Sequence, residues 1–233
     1  IDHLMWVTLI ITGIVFLATQ IMLFVFAFVF RSRPGHSAQY ISPYSTTNTR
    51  LEIVWTSVTL VVLLILVVVG LRHWFKMTGP APPNAMIVEV TGRQFEWIFR
   101  YPGPDGKYGA TSVKLMDPSA GGEAAVGLNT TDPAAKDDVV TGTLYLPVDR
   151  QVDISLRAVD VIHSFFVPSL RFKQDAVPGL NIHMHFTPTA IGAYEIACAE
   201  LCGLGHYKMH GMVHVVSQPD FDKWIAAREA EKQ

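Results

Sequence analysis

Only two cysteines, Cys198 and Cys202, occur in the 233-residue chain, and that scarcity excludes an all-cysteine zinc or iron–sulfur site. There is no Cys-x-x-Cys-His run, so no c-type cytochrome domain is expected within these residues. Charge is scarce as well: Asp, Glu, Lys and Arg make up 16% of the residues, against roughly 25% in soluble domains. The formal net charge of −2 offers no basic surplus to neutralise phosphates, which sets nucleic acid aside as a partner. No internal repeat is visible. What the chain has in quantity is apolar side chains, 50% of the total, so part of it belongs in lipid.

From Leu4 to Phe30 no residue is charged, and Ile, Val, Leu and Phe dominate. At about 1.5 Å of rise per residue a helix of that length exceeds a hydrocarbon core of roughly 30 Å. The run is too long for a signal-peptide core, is preceded by Asp2 rather than a basic segment, and ends without a small-residue cleavage site. A second uncharged run, Ile53 to Leu71, stops at Arg72-His73-Trp74. Spans are therefore expected at about 4–30 and 53–72, making 1–78 a transmembrane helical hairpin. Arg31, Arg33 and Arg50 place the connector 31–52 in the cytoplasm, with both termini outside.

Gly79-Pro80-Ala81-Pro82-Pro83-Asn84 breaks the second helix and opens a soluble domain, 79–233. Short, often alternating apolar runs at 86–91, 94–99, 142–146, 152–156, 182–186, 193–197 and 211–216, with turn residues between, predict an all-β sandwich or barrel. Pro102 to Thr141 is rich in Gly, Ala and Asp without period and reads as a long excursion between strands. Phe221, Trp224 and Ile225 stand at helical spacing and predict a short amphipathic helix over Phe221–Glu231.

One stretch differs from the rest: Cys198-Ala-Glu200-Leu-Cys202-Gly203-Leu-Gly205-His206-Tyr-Lys-Met209. Thiolate, imidazole and thioether donors crowd together there, and a Met in the set argues for copper over zinc. Gly203 and Gly205 let the chain turn tightly around an ion. The alternative is a disulfide between the two cysteines, but it would close a very small loop and would not account for His206 and Met209. A further ligand is needed, and His163, following the strand-like Val152–Leu156 run, is the candidate; the competing reading is a satisfied core or turn histidine. His183 and His185 alternate with Met184 and face one side, as a solvated strand face or a second metal pair. His36, His73, His210 and His214 take the bland reading.

The hairpin, the run His163-Ser-Phe-Phe-Val-Pro-Ser-Leu170, the run Lys173-Gln-Asp175-Ala-Val-Pro-Gly179 and the pattern Cys198-x-Glu200-x-Cys202-x3-His206-x2-Met209 together resemble subunit II of the haem-copper cytochrome c oxidases. The resemblance covers nearly the whole chain. It implies a cupredoxin-like Greek-key barrel holding the dinuclear copper centre CuA, in the periplasm of a bacterium. It implies that Cys198 and Cys202 bridge two coppers, with His163 and Met209 completing one ion, and His206 and the Glu200 carbonyl the other. The Glu200 carboxylate is expected to reach a Mg2+ shared with subunit I, and Glu52 falls at the mouth of a proton pathway. Otherwise Glu52 is an interfacial carboxylate marking the helix end. Oxidase subunits I and III are the implied partners, with a c-type cytochrome as donor and proton pumping in subunit I.

The chain departs from the family where a leading Trp usually receives electrons: the segment reads Gly92-Arg93-Gln94-Phe95-Glu96-Trp97, so Phe95 and Trp97 are the aromatic pair. Loss of the indole points to a donor held alongside, a membrane-anchored cytochrome or a respiratory supercomplex. Asp132, Asp137 and Asp138 in the excursion are candidate acids for steering a basic cytochrome. Two other classes compete with an electron-relay subunit. A quinol oxidase subunit normally lacks the copper ligands, and a free-standing copper carrier would need neither the two spans nor Glu52.

Overall fold

The computed structural model describes every residue except 1, 36, 38–41, 43, 118 and 232–233, and gives no side chain for residue 2. His36, with 38–41 and 43 of the connector 31–52, therefore lies outside the described residues. The chain divides into two compact units, Ile1–Lys76 and Met77–Gln233.

The first unit holds α1 (Asp2–Val29) and most of α2 (Thr46–Thr78), each long and apolar enough to cross a membrane. Both run past the apolar limits read from the sequence, because polar flanks continue a helix wherever backbone bonding is maintained. Polar side chains along them bond to their own helix, as hydroxyls in lipid must. Thr8 Oγ1 donates to Leu4 C=O at 2.9 Å and Thr12 Oγ1 to Thr8 C=O at 2.8 Å, while His73 Nδ1 lies 2.9 Å from Val69 C=O. Ser45 Oγ caps α2 by accepting from Asn48 N–H. Gly79-Pro80 ends it, since proline cannot supply the next amide donor.

The second unit is a β-sandwich of ten strands. They are β1 (Met86–Arg93), β2 (Glu96–Tyr101), β3 (Val139–Thr141), β4 (Leu144–Pro147), β5 (Val152–Ala158), β6 (His163–Val167), β7 (Phe172–Ala176), β8 (Ile182–Phe186), β9 (Gly192–Cys198) and β10 (His210–Val216). One sheet has the order β3-β2-β1-β5-β8 and the other β4-β10-β9-β6-β7; β1 with β5 and β10 with β4 run parallel, the remaining pairs antiparallel. The expected all-β class, with two long apolar helices before it, is what the chain has. Three strands were not legible: β6 and β7 carry Ser, Lys, Gln and Asp, and β3 is very short.

Alternation puts Val88, Val90, Phe99, Ile154 and Leu156 of the first sheet against Leu146, Phe165, Ile196, Val213 and Val215 of the second, all essentially inaccessible. A short helix, α3 (Gly122–Ala125), lies in the excursion, and α4 (Gln218–Ala230) closes the domain. The latter begins with Ser217 as N-cap and packs Phe221 into the core, with Trp224 stacked on Tyr145 at 4.4 Å between ring centres.

The excursion is clamped to the outer face of the first sheet. Arg100 on β2 is buried and bonds Asp138 Oδ2 at 2.8 Å, Gly109 C=O at 2.9 Å and Glu89 Oε2 at 2.6 Å. Arg157 on β5 meets Glu89 Oε1 at 2.5 Å and Thr111 Oγ1 at 3.2 Å. Beneath the excursion Ile98, Ala125, Val126, Leu128 and Ala135 form a small second core. The expected set of steering acids is thereby corrected at one position: Asp138 is fully buried against Arg100. Asp132 is an N-cap whose carboxyl, accepting from Ala110 and Ala134 N–H, is held below the usual range.

Removing one partner of a buried ion pair strands the other. Asp138→Ala is therefore expected to destabilise the domain by about 3 kcal/mol, at the low end of such losses because Glu89 still holds Arg100. Denaturant unfolding monitored by tryptophan fluorescence checks this; an unchanged midpoint would show that the clamp carries no stability.

Candidate metal centre

The centre sits where three strands of the second sheet end together. β9 and β10 form a ladder whose last pairing beyond His210↔Ala197 is the bond from Cys198 N–H to Met209 C=O, 3.1 Å. The ten intervening residues thus become a closed loop with a sulfur at each root. β6 pairs with β9 through Phe165↔Cys198, and Ala199 N–H donates to Ser164 C=O at 3.0 Å, which sets His163 beside Cys198.

The donors face one another. Cys198 Sγ lies 3.9 Å from Cys202 Sγ, 3.9 Å from His163 Nδ1 and 3.2 Å from the Glu200 carbonyl oxygen. Cys202 Sγ lies 3.6 Å from His206 Nδ1 and 3.8 Å from Met209 Sδ. At that separation the cysteines are free thiols, not a disulfide. His163 is fully buried, Cys202 and Met209 nearly so, and His206 half-buried. The side chain of Glu200 is exposed, so only its carbonyl belongs to this cluster.

Two residues not singled out from the sequence orient the set. Asp160 Oδ1 is 2.8 Å from His163 Nε2; an Nε2–H donating there leaves the Nδ1 lone pair directed at the sulfurs. Burial opposes ionisation of Asp160, yet bonds from Gln94 N–H, the His163 ring and Val161 N–H hold its carboxyl below the usual range. Gln94 also donates from Nε2 to Cys202 C=O at 2.5 Å, tying the β1–β2 turn to the metal loop. The signal for Asp160 was its position three residues before a candidate ligand; nothing local marked Gln94.

Phe95 belongs to that same turn and Trp97 to the start of β2. The Phe95 ring lies against the loop so closely that a Cβ on Gly205 would fall 2.4 Å from its Cδ2. Gly203, at φ +132°, adopts a conformation that side chains disfavour. The glycines therefore serve a close approach as well as a turn. Trp97 is buried and meets His163 edge-on at 6.0 Å and Phe165 at 5.2 Å. Glu52 lies in the second turn of α2, in the other unit.

Residues 86–216 match the family of the cytochrome C oxidase subunit II periplasmic domain. The chain is 38% identical over 228 residues to the alternative cytochrome c oxidase subunit 2 of Bradyrhizobium diazoefficiens, covering 97% of this chain and 79% of that relative. It is 29% identical to cytochrome c oxidase subunit 2 of Alkalihalophilus pseudofirmus, over 97% of this chain and 58% of that one. Among solved structures, the periplasmic domain of subunit II from Bradyrhizobium japonicum overlays 66% of this chain and 100% of its own, with TM-score 0.48 and 24% identity. The chain belongs to the cytochrome c oxidase subunit II family. It is a subunit of an oxidoreductase complex, a membrane protein with an extracytoplasmic domain, and His163, Cys198 and Cys202 fit a copper site.

Burial, with Cys198 alongside, pushes the Cys202 thiol up to about 11, so that thiol is protonated at neutral pH in the metal-free chain. Metal must displace that proton. Copper uptake is expected to release protons and to tighten about tenfold per pH unit for each one released. Chelator competition across about pH 6 to 8 measures this; affinity independent of pH would show that the thiols do not take part.

Proposed function

We propose that this chain receives electrons for a haem-copper terminal oxidase at a dinuclear CuA centre and passes them to haem in subunit I, where O2 is reduced to water with proton pumping. The observation that carries this is the convergence of two thiols, two imidazoles, a thioether and the Glu200 carbonyl at the root of one hairpin. Cys198, Cys202, His163, His206, Met209 and the Glu200 carbonyl would hold the two coppers of such a centre. When bound, such a centre supplies one-electron transfer with the charge shared over both metals. The chain's own part is to hold the donors rigid, since a cage that does not rearrange keeps the reorganisation cost low. The β-ladder roots, the Asp160 bond to His163 and the Gln94 bond to the loop supply that rigidity.

Phe95 against the loop and Trp97 against His163 form the short aromatic approach by which electrons arrive from a c-type cytochrome. Leu201, Leu204 and Tyr207 project from the loop, strongly exposed, as an apolar rim suited to burial under subunit I. The Glu200 carboxylate, which is exposed, is the ligand for a Mg2+ shared with that subunit. Glu52 is the proton-pathway carboxylate, with connector 31–52 cytoplasmic and both termini periplasmic.

Replacing Cys198 or Cys202 by Ser is expected to abolish the dinuclear site, because a normally protonated hydroxyl is a poor copper ligand. Electron paramagnetic resonance of the copper-loaded chain should show one electron shared over two nuclei in the wild type and lose that pattern in either variant. A one-copper spectrum in the wild type would sink the assignment. Met209→Leu should keep copper and shift the potential, since a thioether is a weak ligand.

The donor is held alongside, in a supercomplex or as a membrane-anchored cytochrome. Phe95 stands where an indole is usual, and burial of Asp138 removes one acid from the steering face. Oxidation through the native membrane chain is expected to stay nearly flat as the Debye length shrinks from about 10 Å at 0.1 M salt to about 3 Å at 1 M. A steep fall in that turnover over the same series would refute a held donor.

A further inference from the structure

We infer that the outer face of β5 and β8 carries a second metal site, for a divalent ion of the zinc or copper(II) class, with His183, His185 and Asp153 as ligands. β8 is the edge strand of its sheet, and its alternation sends Met184 into the core and both histidines outward. Asp153 is paired directly with His185 across the ladder, and its Oδ2 lies 3.0 Å from His183 Nδ1. The three donor residues thus occupy adjoining positions on one face of one strand pair.

The second observation is a pair of stranded atoms. Asp153 is only 8% exposed, and its Oδ1 is buried without a hydrogen-bond partner. His185 Nε2, on the directly opposed residue, is buried without a partner too. Leaving either unsatisfied costs about 1–3 kcal/mol, and an ion reached once the imidazoles turn would give each a partner. The support a ligating imidazole needs on its other nitrogen is in place: Gln151 Nε2 is 3.0 Å from His185 Nδ1, and its Oε1 accepts from Thr187 Oγ1 at 2.8 Å. With metal on Nε2 the Nδ1 carries the proton, the Gln151 amide turns over to accept it, and the Thr187 hydroxyl accepts from the amide. His183 is turned to Asp153 and His185 to Gln151, so the donors meet by rotation of the imidazoles, for which the exposed His183 ring has room. Two imidazoles and a carboxylate suit zinc or copper(II); without sulfur, the set does not compete for copper(I) with the cysteine loop.

The test uses the purified full chain, its cysteine site first loaded with copper(I), which the sulfur-free set does not retain, and then dialysed against zinc chloride, with zinc and copper counted in the same sample. One zinc per chain is expected at unchanged copper content and unchanged copper absorption, accompanied by a higher melting temperature. His183→Gln should weaken zinc binding by about tenfold or more, and the His183→Gln, His185→Gln double variant should lose both the zinc and the thermal shift. Should Asp153→Asn fail to fold, the histidine variants decide the matter, because their side chains are less enclosed. No zinc in the wild type, equal zinc in the double variant, or zinc gained only as copper is lost would each overturn the site.

Discussion

A single main-chain bond, Cys198 N–H to Met209 C=O, organises the functional end of this domain. It is the last pairing of β9 with β10, and it converts the residues between into a loop whose length and roots are set by a sheet rather than by the loop itself. A loop that had to close around metal unaided would lose that conformational entropy at the moment of binding. Here the ladder has already taken up most of it, so the thiols, imidazoles and thioether stand within about one metal sphere of one another before any ion arrives.

Around that loop the tolerances are tight because two turns share one volume. Phe95 lies where a Cβ at Gly205 would be, and Gln94 reaches the Cys202 carbonyl that the positive φ of Gly203 turns toward it. Asp160 ties the two turns together, receiving Gln94 N–H on one oxygen and facing the His163 ring with the other. The aromatic turn and the metal loop are therefore one mechanical body, and a change that shifts the Phe95 ring also shifts the ligands.

The opposite face of the domain follows a different logic. Arg100, Glu89, Arg157 and Asp138 are enclosed between the first sheet and the excursion, two cations against two anions. Buried charges are tolerated only when fully paired and hydrogen-bonded, and here that requirement fastens an otherwise irregular segment in one position. On the same face, Asp153 Oδ1 and His185 Nε2 are buried without a hydrogen-bond partner.

The amino-acid sequence by itself determined the two apolar helices, most strands, the buried face of α4, and the cysteines and histidine that fit a copper site. Each of these is encoded in composition or in a short-range period, which local physics reads without reference to distant residues. The short strands β6 and β7 escaped that reading because their pairing, not their alternation, makes them strands. Only the tertiary structure decided that His163 meets Cys198, that Asp160 and Gln94 support the centre, and that Asp138 is an internal counter-ion and not a surface acid. These facts depend on contacts between residues far apart in the chain, and such contacts exist only once the two sheets have closed on their shared core.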